Sequence, residues 1–319
     1  MQNWKFQFSL PILNNSILLR FSIVKIAINF LVLVIAVTIF VSCEKLNPAE
    51  IIPAYIKISE IKLSVPPDGS QGGSESNFNC AWVYVDEELI GVFELPVTFP
   101  VLKEGNRKIR IKAGIKQNGI SATRVPYPVV ANYETNVLLT AKETLEIFPE
   151  VSYFPAVVFH WLENFESPDY TLEKTNSGQV QPGLNQTLAE AFEGAKCAKI
   201  ILPPNVIRME IASKQSFNLP KNASPVFLEL NFKTNAPITM GVFANIPNNF
   251  IQIASVVLNS TFDDSGNLIW KKIYIQMTPE VSSNKNATDF KIFFGAVKSP
   301  NNLDSQIEFY LDNIKLVSL

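Results

Sequence analysis

Residues 226–233 read VFLELNFK, which puts Val226, Leu228, Leu230 and Phe232 on one side of an extended chain and Glu229, Asn231 and Lys233 on the other. Side chains of a β-strand point alternately to opposite faces, so this spacing predicts a strand with one face in a core and the other in water. A helix needs a period of 3.6 and is excluded here. Further short apolar runs at 198–202, 238–244, 251–258, 269–277, 289–296 and 306–317 are divided by polar, turn-forming segments such as 263–267, DDSGN. Many short strands separated by turns predict two packed antiparallel sheets, a sandwich or jelly roll, over 150–319. Residues 187–192 are expected to form one short helical turn.

A second series of alternating runs precedes this one. Residues 55–65 carry Ile56 and Ile58, then slip phase to Ile61, Leu63 and Val65, as at a β-bulge. A hairpin is expected from 81–86 and 89–96 with its turn at Glu87-Glu88, followed by strands at 107–115 and 135–141. Val83, Tyr84, Val85, Asp86, Leu89, Ile90, Gly91, Leu95, Pro96, Gly105 and the run 109–114 together resemble the small extracytoplasmic β-domain called PEGA. That resemblance implies a sandwich used as a spacer or binding surface over 54–149, and no chemistry. The segment 118–127 stands out as polar and aromatic; Arg124 and Tyr127 are its candidates for contacting a partner, against the simpler reading of an ordered loop. The expected fold is therefore all-β, a small β-sandwich followed by a jelly roll.

The ending of the chain, 308–317, EFYLDNIKLV, resembles the last strand of galactose-binding-like jelly rolls, the architecture of many carbohydrate-binding modules; Asn164-Phe165-Glu166 resembles their first strand. The resemblance implies glycan binding and a structural calcium shared by Glu166 and Asp312, with no other cofactor. Read from the residues alone, Asp312-Asn313 marks a bulge, because the alternation through Phe309 and Leu311 changes phase at Ile314. Sugar binding needs aromatic faces and planar polar groups, for which Trp270, Tyr274, Phe250, Asn248 and Asn249 are the candidates.

The amino terminus is an address and not part of the fold. Residues 1–25 hold Lys5, Arg20 and Lys25 and no acid, and 26–41 are uncharged and largely apolar. This is the pattern of an export signal. The run closes on Phe40-Val41-Ser42-Cys43 and turns polar at Glu44, which resembles the lipobox of bacterial lipoproteins. The resemblance implies a signal peptide over 1–42, lipid on Cys43, a tether over 43–53, and a cell-envelope protein held on a membrane, the outer membrane being favoured because no aspartate follows the cysteine. An uncleaved anchor is the competing reading, since the run is at the short edge of what spans a bilayer.

Composition removes most other functions. His160 is the only histidine, so a zinc site with several histidines is excluded, and any Ser-His-Asp or Cys-His mechanism would have to use it. It lies in the apolar run 157–162 and reads as structural. Cys80 and Cys197 are the cysteines left after Cys43; a disulfide in an oxidising compartment is the alternative, but nothing in their spacing demands one and they read as two buried thiols. Beyond Cys43 there are 24 basic and 29 acidic residues, which gives no electrostatic footprint for nucleic acid. Glu163, Glu166, Asp263 and Asp264 are the acids near predicted strand ends, with no pattern that marks a glycosidase pair. The sequence thus points to a noncatalytic protein that binds glycan or another envelope component. The alternative is a structural or assembly subunit of an envelope complex.

Overall fold

The alternating runs become strands in the computed structural model, which describes residues 24–35, 50–185 and 190–319. Cys43 and residues 187–189 of the expected helical turn lie outside the described residues. The chain divides into two units, Met1–Ile52 and Pro53–Leu319. In the first, residues 24–35 form a helix with exposed apolar side chains, Ile26 and Phe30 among them. No helix among the described residues is long and apolar enough to cross a membrane.

The second unit begins with ten strands: β1 (Ala54–Ile58), β2 (Lys62–Ser64), β3 (Cys80–Val85), β4 (Glu88–Glu94), β5 (Val97–Val101), β6 (Gly105–Lys116), β7 (Arg124–Pro126), β8 (Tyr133–Leu139), β9 (Thr144–Ile147) and β10 (Glu150–Ser152). Sheet β5-β1-β9 and the short pair β10-β2 face the sheet β4-β3-β6-β7, with β8 also paired to β6. The phase slip within 55–65 is a break between two strands in different sheets, not a bulge within one. The hairpin turn is also one residue earlier than expected. Asp86 and Glu87 both have positive φ, 51° and 69°, which two-residue hairpin loops of matching twist require.

Eleven more strands follow: β11 (Val158–Glu163), β12 (Leu172–Lys174), β13 (Gly183–Asn185), β14 (Cys197–Leu202), β15 (Arg208–Ser213), β16 (Val226–Thr234), β17 (Ile238–Ile246), β18 (Asn249–Leu258), β19 (Lys271–Gln276), β20 (Asp289–Val297) and β21 (Ile307–Ser318). They form two sheets, β13-β14-β21-β16-β19 with β11 beside β21, and β12-β15-β20-β17-β18. Both are antiparallel throughout. Inward residues of both, including Leu228, Leu230, Ile292, Phe294, Phe309 and Leu311, make one core, as expected for a jelly roll. The phase change at Asp312-Asn313 is a bulge: β21 shifts register against Glu229 and Asn231 of β16, and Asn313 has a φ of 47°.

One expectation fails instructively. The polar face of β16 is not in water; Glu229 and Asn231 are each 1% exposed. The first sandwich covers that face, and Phe227, Tyr274 and Val317 of the second sandwich belong to the first sandwich's core cluster. The segment 118–127 supplies much of the join. Gln117 bridges to Tyr274, the Asn118 N–H donates to the Tyr274 carbonyl (2.8 Å), and the Gln276 N–H donates to Asn118 Oδ1 (2.9 Å). Tyr127 is buried and donates to Glu229 Oε1 (2.7 Å), as does Tyr153 (2.7 Å). Arg124 pairs with Glu94 at 3.0 Å. The two candidates for contacting a partner are therefore held within the chain.

Candidate functional site

The outer face of the sheet β12-β15-β20-β17-β18 is not covered by the first sandwich, and its register assembles a groove there. Asn245 of β17 is paired with Asp289 of β20 and Phe250 of β18; two residues back, Phe243 is paired with Lys291 and Gln252. All six side chains therefore share one face. Glu210 and Ala212 of β15 lie opposite Gly295 and Phe293 of β20 on the same face. The groove holds about 350 Å³ and is closed on one side by Glu173, Thr175 and Asn176.

Its floor is aromatic. Phe293 stacks on Phe243 (centroids 4.7 Å apart, 27° between planes), and Phe250 meets Phe243 edge-on at 5.0 Å and 74°. Phe250 itself is 53% exposed. Gly241 makes the stack possible, since a Cβ there would lie 2.8 Å from the Phe293 ring and 2.0 Å from the Ile253 carbonyl oxygen.

The walls are planar and polar. Glu210 accepts from Thr175 Oγ1 (2.6 Å), Arg208 Nη2 (2.6 Å) and Gln252 Nε2 (3.2 Å). Burial alone would raise the Glu210 pKa, but these donors outweigh it and hold the carboxyl below its usual range. The Glu210–Gln252 bond spans the sheet from β15 to β18, with Gly295 of β20 opposite Glu210. Lys291 pairs with Glu173 at 2.8 Å. Gly178 lets the 175–178 turn close on β15, because a Cβ would meet the Glu210 carbonyl oxygen at 2.3 Å.

Of the five residues expected to bind glycan, Phe250 lines the groove and the other four do not. Asn248 and Asn249 are exposed at the tip of the β17–β18 hairpin, beside Phe250 but outside the groove lining; Asn248 has a φ of 61° and so serves the turn. Trp270 lines a different cavity, at the junction of the two sandwiches. Tyr274 corrects the expectation made for it. It is 2% exposed, stacks on Phe78 (6.1 Å) and accepts from the Asn77 N–H (2.8 Å), so neither face is free for a sugar. Phe243, Phe293, Glu210, Arg208 and Gln252 were missed. The signal was present in 238–246, where Phe243 shares its phase with Gly241 and Asn245 and so sits on the polar side of an otherwise apolar strand.

Glu166 and Asp312 do converge, on the segment between Phe192 and Lys196. Asp312 Oδ2 accepts from the N–H groups of Phe192 (3.1 Å) and Glu193 (3.3 Å), and Glu166 Oε1 from those of Ala195 (2.7 Å) and Lys196 (3.0 Å). Asp312 Oδ1 accepts from the Asn313 N–H at 2.9 Å. Burial pushes the Asp312 pKa up to about 6, with a smaller contribution from the Glu166 charge. The pair does not fit calcium well. A hard cation needs an oxygen shell, whereas both Asp312 oxygens and Glu166 Oε1 accept from amide donors and Lys196 Nζ lies on the Glu166 carbonyl oxygen (2.7 Å). No group of three acids, histidines or cysteines that could hold a metal exists among the described residues. Glu163 is likewise spent, on Phe165 and Thr171. His160 pairs with Ser318 Oγ at 2.9 Å, and Cys80 and Cys197 are buried free thiols.

No family model and no curated protein matches the chain. Solved structures similar to it include TmCBM61 in complex with β-1,4-galactotriose (14% identity, TM-score 0.31, covering 48% of this chain and 92% of that one). A family 11 carbohydrate-binding module from Clostridium thermocellum, in complex with a β-1,3-1,4-mixed-linked tetrasaccharide, matches with 12% identity and a TM-score of 0.32 over 50% of this chain and 94% of that one. The enzymatically active domain of bacteriophage CBA120 tailspike protein 4 matches with 11% identity and a TM-score of 0.31, over 49% of this chain and 20% of that one.

Proposed function

We propose that this protein is a noncatalytic glycan-binding lipoprotein of the cell envelope, held to a membrane through Cys43 and gripping saccharide in the groove between Phe250 and Glu210. The observation that carries the reading is the half-exposed Phe250 on the Phe243–Phe293 stack, beside Arg208, Glu210 and Gln252 fixed by one another. A pyranose offers an apolar face to such a ring and hydroxyls to such planar groups. Because the polar groups are already ordered, little side-chain entropy is lost on binding.

The groove's acids argue against hydrolysis. A glycosidase needs one carboxyl of raised pKa as general acid. Glu210 is held low and Glu173 is paired with Lys291.

A glycan array on the purified chain, followed by calorimetry on the best ligand, tests the binding. Phe250→Ala should weaken it about tenfold, the equivalent of ~1.4 kcal/mol. Its melting temperature should hold, since Phe250 is on the surface. A silent array, or a variant that binds like the wild type, counts against the groove. Membrane attachment is tested separately by radiolabelled palmitate, which should enter the wild type and not Cys43→Ser.

A further inference from the structure

Where the first sandwich meets β16 and β19 there is a cavity of about 530 Å³ that the groove does not use. Its walls come from both sandwiches, with Asn79, Lys116 and Asn118 on one side and Asn231, Trp270 and Lys272 on the other. Asn231 and Lys272 are directly opposed in the β16–β19 register, so their side chains lie together on the covered face. Asn231 is 1% exposed and the Lys272 side chain 5%. Yet Asn231 Oδ1 and Lys272 Nζ each lack a hydrogen-bond partner. Lys272 Nζ is 3.6 Å from Glu229 Oε2, an ion contact too long for a hydrogen bond.

A buried donor or acceptor left without a partner is costly, and here one of each sits on residues paired in register. A single hydroxyl would satisfy both, donating to Asn231 Oδ1 and accepting from Lys272 Nζ. Trp270, partly exposed, adds an apolar wall; its ring meets Phe192 edge-on (5.9 Å) and lies under the Lys233 ammonium (5.2 Å). The charge of the lining is of one sign. Lys116, Lys271 and Lys272 line the cavity and no Asp or Glu does, although Lys116 also reaches out to Glu94 at 3.0 Å.

From these features we propose that the junction cavity is a second ligand site, separate from the groove, that takes a saccharide unit bearing a carboxylate, a uronate or similar hydroxy acid. The hydroxyls meet the asparagines and Lys272, the carboxylate meets the lysines, and the ring's apolar face lies on Trp270. Closing on both sandwiches at once, such a ligand would also tie them together. Binding to the folded state alone then raises the melting temperature with ligand concentration.

The test is calorimetry on the full chain with galacturonate and glucuronate oligosaccharides, against neutral oligosaccharides of the same linkage and length, at low and high salt. The uronates should bind at least tenfold tighter than their neutral counterparts and lose affinity as salt rises. Trp270→Ala and Asn231→Ala should each weaken uronate binding at least tenfold, and Phe250→Ala should leave it unchanged. Asn231→Ala removes an unpartnered acceptor, so its melting temperature should not fall; Trp270→Ala, at a partly exposed position, serves should it fall. Uronates that bind no tighter than neutral sugars, or whose binding is lost in Phe250→Ala and kept in Trp270→Ala, would overturn the second site. Either result leaves the groove to stand or fall by its own variant.

Discussion

Removing the two phenol hydroxyls that reach Glu229 should loosen the join between the sandwiches by an amount set by the charge they serve. Tyr127 and Tyr153 come from the first sandwich, Glu229 from the second, and both donate to the same oxygen at 2.7 Å. Glu229 Oε2 has no hydrogen-bond partner; the cations beside Glu229 are Lys272, at 3.6 Å, and the buried Lys315, opposite it in the β16–β21 register. Hydrogen bonds to a charged group contribute about 1.5–3 kcal/mol each. Tyr127→Phe or Tyr153→Phe alone should therefore cost about 2 kcal/mol, since one donor remains. The double variant leaves a buried carboxylate with ion contacts and no hydrogen bond, a situation that costs about 3–5 kcal/mol, close to the roughly 4 kcal/mol of the two losses added, so the cycle should show a coupling within about 1 kcal/mol of zero. In a Glu229→Gln background the same substitutions become losses of neutral bonds, about 1 kcal/mol each, with little coupling. The assay is urea unfolding of the full chain, followed by far-UV circular dichroism and tryptophan fluorescence. Phe variants within about 0.5 kcal/mol of the parent in both backgrounds, or dichroism and fluorescence transitions that do not coincide in the wild type, would refute the idea that this contact welds the sandwiches.

Asp312 should make stability fall as pH rises. Its folded pKa of about 6 lies above the ordinary 3.8, so between those values the folded state holds more protons, and the penalty is absent below pH 4 and complete above pH 6. That interval corresponds to at most roughly 3 kcal/mol; thermal melts of wild type minus Asp312→Asn across pH 4–7 should show this slope, and a flat difference would refute it. Because amide donors already occupy both Asp312 oxygens and Glu166 Oε1, melts with excess calcium and with chelator should coincide. An upward shift in calcium that Asp312→Ala abolishes would restore the metal.

Period-two alternation is a local property, and it was enough to place β16, β17, β18, β20 and β21 almost to the residue. The same local reading found the bulge at Asn313, because a phase change needs only the residues beside it. Short strands such as β12 and β13, three residues each, carry too little pattern to register and exist because longer neighbours pair with them. What alternation cannot report is what covers the second face of a sheet. Glu229, Asn231 and Lys233 read as a wet face, and only the docking of the first sandwich through 117–127 turned Glu229 and Asn231, with Lys272 of β19 beside them, into a buried polar layer with unpaired atoms. The same holds for the groove. Glu210 and Gln252 are 42 positions apart and meet because the strand order β15-β20-β17-β18 puts them on one sheet face, with Gly295 opposite Glu210. Aromatic identity alone does not separate Phe250, on the surface, from Tyr274, in the core, since both lie in alternating runs. Exposure depends on which sheet face a partner occupies, and that is settled by packing between segments far apart in the chain.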